Sequence, residues 1–291
     1  MDGFLLVDKA GGMTSHDVVA KIRRRLGTKK VGHAGTLDPM ATGVLVLGIG
    51  NATRLLQYVV DGQKAYHATI RLGAATITDD VEGEVVFTAE PTLLAAATDE
   101  KIRATLATMV GDILQRPSSV SAIKVDGKTA HQRVRDGEVV ELAARPVHVE
   151  EIGIHAITRG DDWIEIEVSV RCSAGTYIRA IARDLGEALD VGGHLTMLRR
   201  TLVSPFELSE CAPWEDAELI STASGIAKIL PTRTLDAEEF NEISFGRTID
   251  ANESERVTAA LTQAGEFAAL LENRELGKKK FATPTLVAVK G

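Results

Sequence analysis

One carboxylate, Asp38, lies in the run Val31-Gly32-His33-Ala34-Gly35-Thr36-Leu37-Asp38-Pro39-Met40-Ala41-Thr42-Gly43-Val44-Leu45-Val46-Leu47-Gly48, directly before a proline and ahead of an apolar segment. A residue that precedes proline is driven out of the helical region, and proline has a fixed φ, so Asp38 is expected on a stiffened turn. Gly35 and Gly43 allow the backbone to bend or to approach a ligand closely. Taken alone, the run fits two interpretations: an ordinary Asp-Pro turn before a buried strand, or a reactive carboxylate held in one geometry.

Composition indicates a globular chain. A length of 291 residues suggests one large domain or two smaller ones. Apolar runs fall short of the roughly 18 residues that a membrane span needs, and Asp2 stands where a signal peptide would be basic. We therefore expect a cytoplasmic protein, with a monomer as the default. Cys172 and Cys211 are far apart and show neither a disulfide framework nor the spacing of a zinc site.

Charge is segregated along the chain, although the formal net charge is -8. Residues 21–30 contain six basic side chains and no acid, and residues 116–135 contain five basic side chains against one aspartate. Acidic residues concentrate in residues 236–275. The basic segments predict either a surface that faces nucleic acid or an ordinary solvated face, and the sequence favours neither.

Hydrophobic periodicity predicts the main elements. The predicted strands cover 4–7, 44–47, 64–72, 121–125, 147–157 and 163–172, and the predicted helices cover 15–26, 53–60, 99–110, 129–135 and 177–189. Alternation in strand 64–72 places Tyr66 on its apolar side. In the last helix, which Gly175-Thr176 is expected to cap, Arg179 and Arg183 share one face. After Thr234 the chain becomes acidic, and the short segments 240–249, 254–259, 266–272 and 285–289 predict a small β-rich domain.

A dinucleotide-binding turn is the weakest functional hypothesis. It depends on Gly48-Ile49-Gly50, but Thr53 replaces the third glycine and no strand ending in an acid follows about 20 residues later. Such a site would make the protein an oxidoreductase.

Five motifs together are more specific. They are Gly32-His33-x-Gly35-x-Leu37-Asp38-Pro39-x-Ala41-Thr42-Gly43, Lys64-x-Tyr66, Ser121-Ala122-x-Lys124, Gly175-Thr176-Tyr177-Ile178-Arg179 and Leu198-Arg199-Arg200. In this order, and across nearly the whole chain, they resemble the bacterial tRNA pseudouridine synthases that modify uridine 55 in the T loop. The chain departs from the family pattern at Ala10, Val120 and His131, where the family usually has a proline and two aromatic residues.

The resemblance implies an α+β fold, the pseudouridine synthase fold, with a mixed, largely antiparallel sheet flanked by helices. It divides the chain into a catalytic domain, residues 1–233, and a PUA-like RNA-binding domain, residues 234–291. The implied reaction flips the uridine out of the RNA, breaks its glycosidic bond and rejoins the base through C5. Because no electrons are exchanged, we expect no redox cofactor and no metal.

Catalytic roles follow from the same resemblance. Asp38 is implied to be the carboxylate that assists cleavage of the glycosidic bond, as nucleophile or by another route. Arg179 is expected to orient Asp38 and to keep it ionised by lowering its pKa. Tyr66 is expected to stack on the flipped uracil, and its hydroxyl is a candidate for removal of the C5 proton.

Substrate-binding roles are implied for four further residues. Tyr177 and Leu198 are expected to line the uracil pocket, His33 to fill the gap that the uridine leaves in the RNA, and Lys124 to contact phosphates together with the basic run 21–30. The partner is the T stem-loop of tRNA, with no membrane and no obligate protein partner. An alternative function is an RNA-binding or RNA-folding module without turnover, although such a protein has no need of an ion-paired carboxylate.

Overall fold

The computed structural model describes residues 1–118, 124–125, 128–129, 142–277 and 279–288. Most of the described strands form two sheets, one of ten strands and one of five, and helices pack beside them. The predicted α+β class, with a mixed and largely antiparallel sheet, is confirmed. In the described residues no helix is long and apolar enough to span a bilayer.

Seven α-helices lie in the described residues: α1 (Ser15–Leu26), α2 (Gln57–Val60), α3 (Pro91–Ala96), α4 (Asp99–Ala107), α5 (Ile178–Ala188), α6 (Thr222–Ile229) and α7 (Ala237–Ser244). Short 3-10 helices cover Gly50–Leu55 and Leu208–Glu210. The first strands are β1 (Gly3–Lys9), β2 (Val31–His33), β3 (Thr42–Ile49), β4 (Lys64–Leu72), β5 (Ala74–Thr76), β6 (Val85–Thr88), β7 (Gly111–Gln115), β8 (Lys124–Val125), β9 (Lys128–Thr129) and β10 (Arg145–Arg159). The later strands are β11 (Ile164–Cys172), β12 (Gly193–Val203), β13 (Phe206–Glu207), β14 (Ile220–Ser221), β15 (Thr232–Thr234), β16 (Ile249–Asp250), β17 (Thr258–Leu261), β18 (Phe267–Leu276) and β19 (Lys279–Val287).

The ten-stranded sheet follows the order β14-β1-β3-β12-β4-β11-β10-β7, with β2 paired to β3 and β13 paired to β12. Its neighbouring strands are antiparallel except for β12 and β3, which run parallel. Strands β3 and β4 follow one another along the chain, but in the sheet β12 lies between them. This order brings the Asp38 run, strand β4 and the Leu198-Arg199-Arg200 motif to one place.

Helix α1 lies where the sequence predicts it, and both of its ends are capped. The Thr14 side chain accepts a hydrogen bond from the Asp17 backbone N–H, the Asp17 side chain accepts one from Thr14, and Gly27 ends the helix in the left-handed region. Val18, Val19 and Ile22 are buried in a core that they share with residues of β1 and β3. This packing fixes the start of α1, and with it Ser15, over the loop that carries Asp38.

Strand β4 has the predicted alternation and the predicted bounds. Tyr66, Ala68, Ile70 and Leu72 are buried, whereas His67 is exposed. The predicted strands 147–157 and 163–172 are also confirmed, as β10 and β11, which pair antiparallel. Since β4 pairs with both β11 and β12, Tyr66 lies in the middle of the sheet.

Helix α5 begins at Ile178, and its N-cap is Tyr177 rather than the predicted Gly175-Thr176. The buried side-chain amide of Gln115 hydrogen-bonds to both backbone groups of Tyr177. Its Nε2 donates to the Tyr177 carbonyl at 3.0 Å, and its Oε1 accepts from the Tyr177 N–H at 2.8 Å. The start of α5 is thereby fixed against the end of β7.

Two predicted elements are wrong. Residues 53–60 do not form one helix but a 3-10 turn, Gly50–Leu55, followed by α2. Residues 240–249 do not form a strand segment, because α7, with Asp236 as its N-cap and a capping box to Glu239, occupies residues 240–244. Of the predicted strand 121–125 only β8 is described, and residues 130–135 of the predicted basic helix, like Val120 and His131, lie outside the described residues.

The five-stranded sheet has the order β15-β17-β18-β19-β16. Its core includes Leu235, Ile243 of α7, Ala260 and Leu271. Other residues of this sheet, among them Leu270 and Leu286, share a core with Phe4 and Ile226. The division at residue 233 and the PUA-like assignment stay predictions.

Candidate active site

A cavity of about 300 Å³ opens where the Asp38 loop, β4, β12 and the start of α5 meet. Its lining brings together residues of four of the five motifs. They include Gly35, Leu37, Asp38, Lys64, Tyr66, Tyr177, Arg179, Leu198 and Arg200. The structure thus collects Asp38, Tyr66, Arg179, Tyr177 and Leu198, all predicted site residues, around one space.

Asp38 and Arg179 form a two-point ion pair. The Arg179 Nε lies 3.0 Å from Asp38 Oδ2, and the Arg179 Nη2 lies 3.2 Å from Asp38 Oδ1. Arg179 is buried, with 6% of its side chain exposed, whereas 33% of the Asp38 side chain is exposed. The carboxylate is therefore oriented from behind by the guanidinium fork and open toward the cavity in front.

A second carboxylate shares Arg179. Asp80 is buried and its Oδ2 lies 3.4 Å from Arg179 Nη1, which also donates to the Thr78 carbonyl at 2.7 Å. Asp80 accepts hydrogen bonds from the Thr78 hydroxyl and from the Glu82 N–H. These contacts fix the guanidinium on the side away from Asp38. Asp80 lies in a turn-rich segment, and no sequence motif pointed to it.

The predicted pKa direction for Asp38 is wrong. Burial raises the pKa of Asp38 above its ordinary value and Asp80 adds to the rise, while Arg179 and Lys9 oppose it. Arg179 thus contributes in the expected direction, but desolvation is the larger effect. A carboxylate with a raised pKa holds or accepts a proton more readily than an exposed aspartate does.

Two further side chains hold the loop around Asp38 through its backbone. The Ser15 hydroxyl accepts a hydrogen bond from the Leu37 N–H at 2.9 Å and lies 3.2 Å from the Leu37 carbonyl. The Lys9 ammonium, which is fully buried, donates to the Pro39 carbonyl at 3.2 Å and to the carbonyls of Ala10 and Met13. Both flanks of Asp38 are therefore tied down, by residues for which sequence reasoning proposed no such role.

Arg200 approaches the same loop from β12. Its guanidinium donates to the carbonyls of Val44 at 2.8 Å, Gly35 at 3.1 Å and Thr36 at 3.4 Å. The Arg200 backbone runs against Gly43, where an added Cβ would lie 2.1 Å from the Arg200 carbonyl oxygen, and Gly43 has a φ of 101°. Glycine at 43 is required by this close approach and by that φ.

Tyr66 on β4 and Leu198 on β12 are both buried, and the register pairs Leu198 with Ala68, two residues from Tyr66. Burial raises the pKa of the Tyr66 hydroxyl, while the charge of Arg200 and a hydrogen bond from it act in the opposite direction. The phenol is therefore protonated at neutral pH, with Arg200 as a polar neighbour.

His33 and the basic run 21–30 are not among the residues that line the cavity. His33 ends β2 and meets the ring of His16 edge-on, with centroids 5.5 Å apart, and burial lowers the pKa of His33. Lys124 lies in β8, and its side chain is outside what the structure describes. In the basic run, Arg23 donates to the Val31 carbonyl and Arg25 to the Trp214 and Ala217 carbonyls, so these two guanidinium groups serve the fold as well.

Gly48 and Gly50 are explained without a nucleotide. A Cβ at Gly50 would lie 1.8 Å from the Asp2 carboxylate, and a Cβ at Gly48 would lie 2.9 Å from the Ala52 carbonyl oxygen. The glycines make room for the chain's own backbone and side chains. The hypothesis of a dinucleotide-binding turn therefore loses the observation on which it depended.

Solved structures with the same architecture include an H/ACA RNP bound to a substrate RNA containing 2′-deoxyuridine. Its matching chain is 23% identical with a TM-score of 0.70, and the match covers 99% of this chain and 85% of that one. An archaeal box H/ACA sRNP complex matches with 24% identity, a TM-score of 0.68 and coverage of 99% and 86%. The chain therefore shares the fold of these structures.

Sequence comparison gives the family. Residues 23–178 match the N-terminal domain of TruB family pseudouridylate synthases, and residues 179–227 match the tRNA pseudouridylate synthase B C-terminal domain. The tRNA pseudouridine synthase B of Paenarthrobacter aurescens is 50% identical, over 100% of this chain and 96% of its own length. That of Corynebacterium aurimucosum is 51% identical, over 95% and 93%. The chain belongs to the TruB family of pseudouridylate synthases.

Proposed function

We propose that this protein converts uridine 55 in the T loop of tRNA to pseudouridine. The observation that carries the proposal is the Asp38 carboxylate, gripped at two points by a buried Arg179 and open toward a cavity. Relatives about half identical over nearly their whole length are tRNA pseudouridine synthases B, which supports tRNA as the substrate.

A uridine inside the folded T loop cannot reach this carboxylate, so the base must leave its stack and enter the cavity. The C1′–N1 bond then breaks, with its electron pair going to the base. The detached uracil turns, C5 bonds to C1′, the C5 proton leaves, and N1 takes up a proton. Ring atoms and electrons balance without an external oxidant or reductant.

Each wall of the cavity has a proposed role. Asp38 assists cleavage at the anomeric carbon, Arg179 orients it, and the Tyr66 ring stacks on the uracil while its hydroxyl serves in the transfer of the C5 proton. Tyr177 and Leu198 complete the apolar enclosure. His33 fills the gap left in the RNA, and Lys124 contacts phosphate. No metal or redox cofactor takes part, and we propose a monomer that acts on tRNA in the cytoplasm without an obligate protein partner.

The direct test uses a tRNA transcript that carries tritium at uracil C5. Wild-type protein is expected to release tritium from position 55, and Asp38→Asn, which keeps the size of the side chain, is expected to release none above background. Glu165→Gln removes a carboxylate from the ion pair with Arg71 on β4 and β11 and serves as the matched control. If Asp38→Asn releases tritium as fast as wild type, the proposed role of Asp38 is wrong. If wild type binds tRNA without releasing tritium, the protein is an RNA-binding module instead.

A further inference from the structure

Arg200 is a buried cation with an unusual set of partners. Only 2% of the residue is exposed, yet among the described residues no carboxylate is paired with it. Its guanidinium is satisfied by three backbone carbonyls, those of Gly35, Thr36 and Val44. Burying a charge away from water costs free energy, and carbonyl acceptors recover only part of that cost. An apolar side chain at this place in the sheet would avoid the cost.

The same residue lies beside the other wall of the cavity. Arg200 and Tyr66 are directly paired across the antiparallel strands β12 and β4, and the charge of Arg200 acts on the Tyr66 phenol. Gly35 and Thr36 precede Asp38 by three and two residues. From the strand position opposite Tyr66, one side chain therefore reaches the loop that carries Asp38, and all of these residues except Val44 line the cavity.

We propose that Arg200 is a positioning residue for the isomerisation, one that fixes the separation between Asp38 and Tyr66 so that both meet the same flipped uracil. This inference rests on the proposed function and adds a residue to it. Arg179 orients the carboxylate itself, and Ser15 and Lys9 hold Leu37 and Pro39 on either side of it. Of these four anchors, Arg200 is the direct cross-strand partner of Tyr66.

The geometry explains why arginine is needed. Three carbonyl oxygens, those of Gly35, Thr36 and Val44, accept from the group, and a planar fork with five N–H donors can serve them together. A lysine ammonium at the end of a flexible stem has three donors and cannot span the same acceptors. The charge has a second effect, since it opposes the rise that burial produces in the pKa of Tyr66.

The experiment compares Arg200→Gln, Arg200→Lys and the matched control Arg199→Gln. Arg199 is the preceding residue in the strand, and its guanidinium pairs with Asp8 at 2.7 Å, away from the cavity wall. With wild-type activity first established by tritium release, single-turnover rates at saturating tRNA are measured for all four proteins. Both Arg200 variants are expected to lose at least about tenfold in rate, with a Kd for tRNA within about threefold of wild type. Arg199→Gln is expected to keep the wild-type rate.

A spectroscopic readout separates positioning from a general loss of stability. The chain has three tyrosines, Tyr58, Tyr66 and Tyr177, so labelling at tyrosine Cζ gives three carbon signals. In Arg200→Gln the Tyr66 signal is expected to move and to titrate at a higher pH than in wild type, while that of Tyr58 stays in place. Wild-type rates in Arg200→Gln, or an unmoved Tyr66 signal, would overturn the inference and leave the proposed function intact. Absence of tritium release from wild type would overturn the proposed function itself.

Discussion

The Ser15 hydroxyl and the Leu37 backbone share two close contacts, at 2.9 Å to the N–H and 3.2 Å to the carbonyl oxygen. Ser15 is the first residue of α1, whose apolar face is packed on β1 and β3. Leu37 directly precedes Asp38. The position of the Asp38 carboxylate is thus tied to a helix whose own ends are capped, and this link leads to a first prediction.

Ser15→Ala should lower both stability and turnover. The buried Leu37 N–H loses its partner, which costs about 1–3 kcal/mol of unfolding free energy, and the Asp38 loop gains freedom. The neighbouring Thr14→Ala removes the N-cap of α1 and costs about 1 kcal/mol, but Thr14 has no contact with the loop backbone in the hydrogen bonds described. Urea unfolding and single-turnover tritium release on both variants test this. Equal loss of turnover in the two would show that helix stability alone matters.

Arg179→Gln should shift the pH dependence of the residual reaction. Burial raises the pKa of Asp38 and Arg179 opposes the rise, so removing the guanidinium raises the pKa further. If Asp38 acts as the carboxylate, the acidic limb of the rate profile moves to higher pH. Single-turnover rates with excess enzyme, taken from about pH 5 to about pH 9, give the midpoints. An acidic limb at the wild-type position would contradict this assignment.

Tyr66→Phe should separate binding from proton transfer. The ring that stacks on the base is kept and the hydroxyl is lost, so the Kd for tRNA should stay within about threefold while tritium release slows by about 100-fold or more. Tyr58→Phe, in α2, makes the same chemical change outside the cavity lining. An unchanged rate of release in Tyr66→Phe would remove the hydroxyl from the reaction.

Lys9→Met should alter the pH dependence of stability. Burial lowers the pKa of Lys9 to about 8, from the ordinary 10.5. Between these values the unfolded chain binds more protons than the folded protein, so this residue's contribution to stability rises with pH. Measured by urea unfolding, the stability of wild type relative to Lys9→Met should increase by up to about 3 kcal/mol across this window. A constant difference would show that the ammonium titrates alike in both states.

Local patterns account for what the sequence predicted correctly. Helix α1 was predictable because its capping residues and its apolar spacing agree, and β4 because its alternation places Tyr66, Ala68 and Ile70 on one buried face. For segment 240–249 the alternation predicted a strand, whereas the capping pair Asp236 and Glu239 indicates a helix. Here the cap was the stronger signal.

The sequence predicted the site residues that lie in motifs, but not the residues that hold them in place. Asp38, Tyr66 and Arg179 lie in motifs, whereas the contacts from Ser15, Lys9 and Gln115 join residues 22, 30 and 62 positions apart in the sequence. No local pattern reports which backbone group a buried side chain will reach. The pKa of Asp38 was misjudged for the same reason, since the amount of water removed from it depends on the whole fold.

Strand β12 has a consequence for the time at which the protein becomes active. It lies between β3 and β4 and supplies both Leu198 and Arg200, yet 120 residues separate the end of β4 from its start. A ribosome that has synthesised only the residues before β12 has therefore produced β3 and β4 without the strand that lies between them. Inserting this strand requires a long-range pairing, which is a slow type of folding event. The cavity is completed only late in synthesis, so a nascent chain that already displays Asp38 still lacks one of its walls.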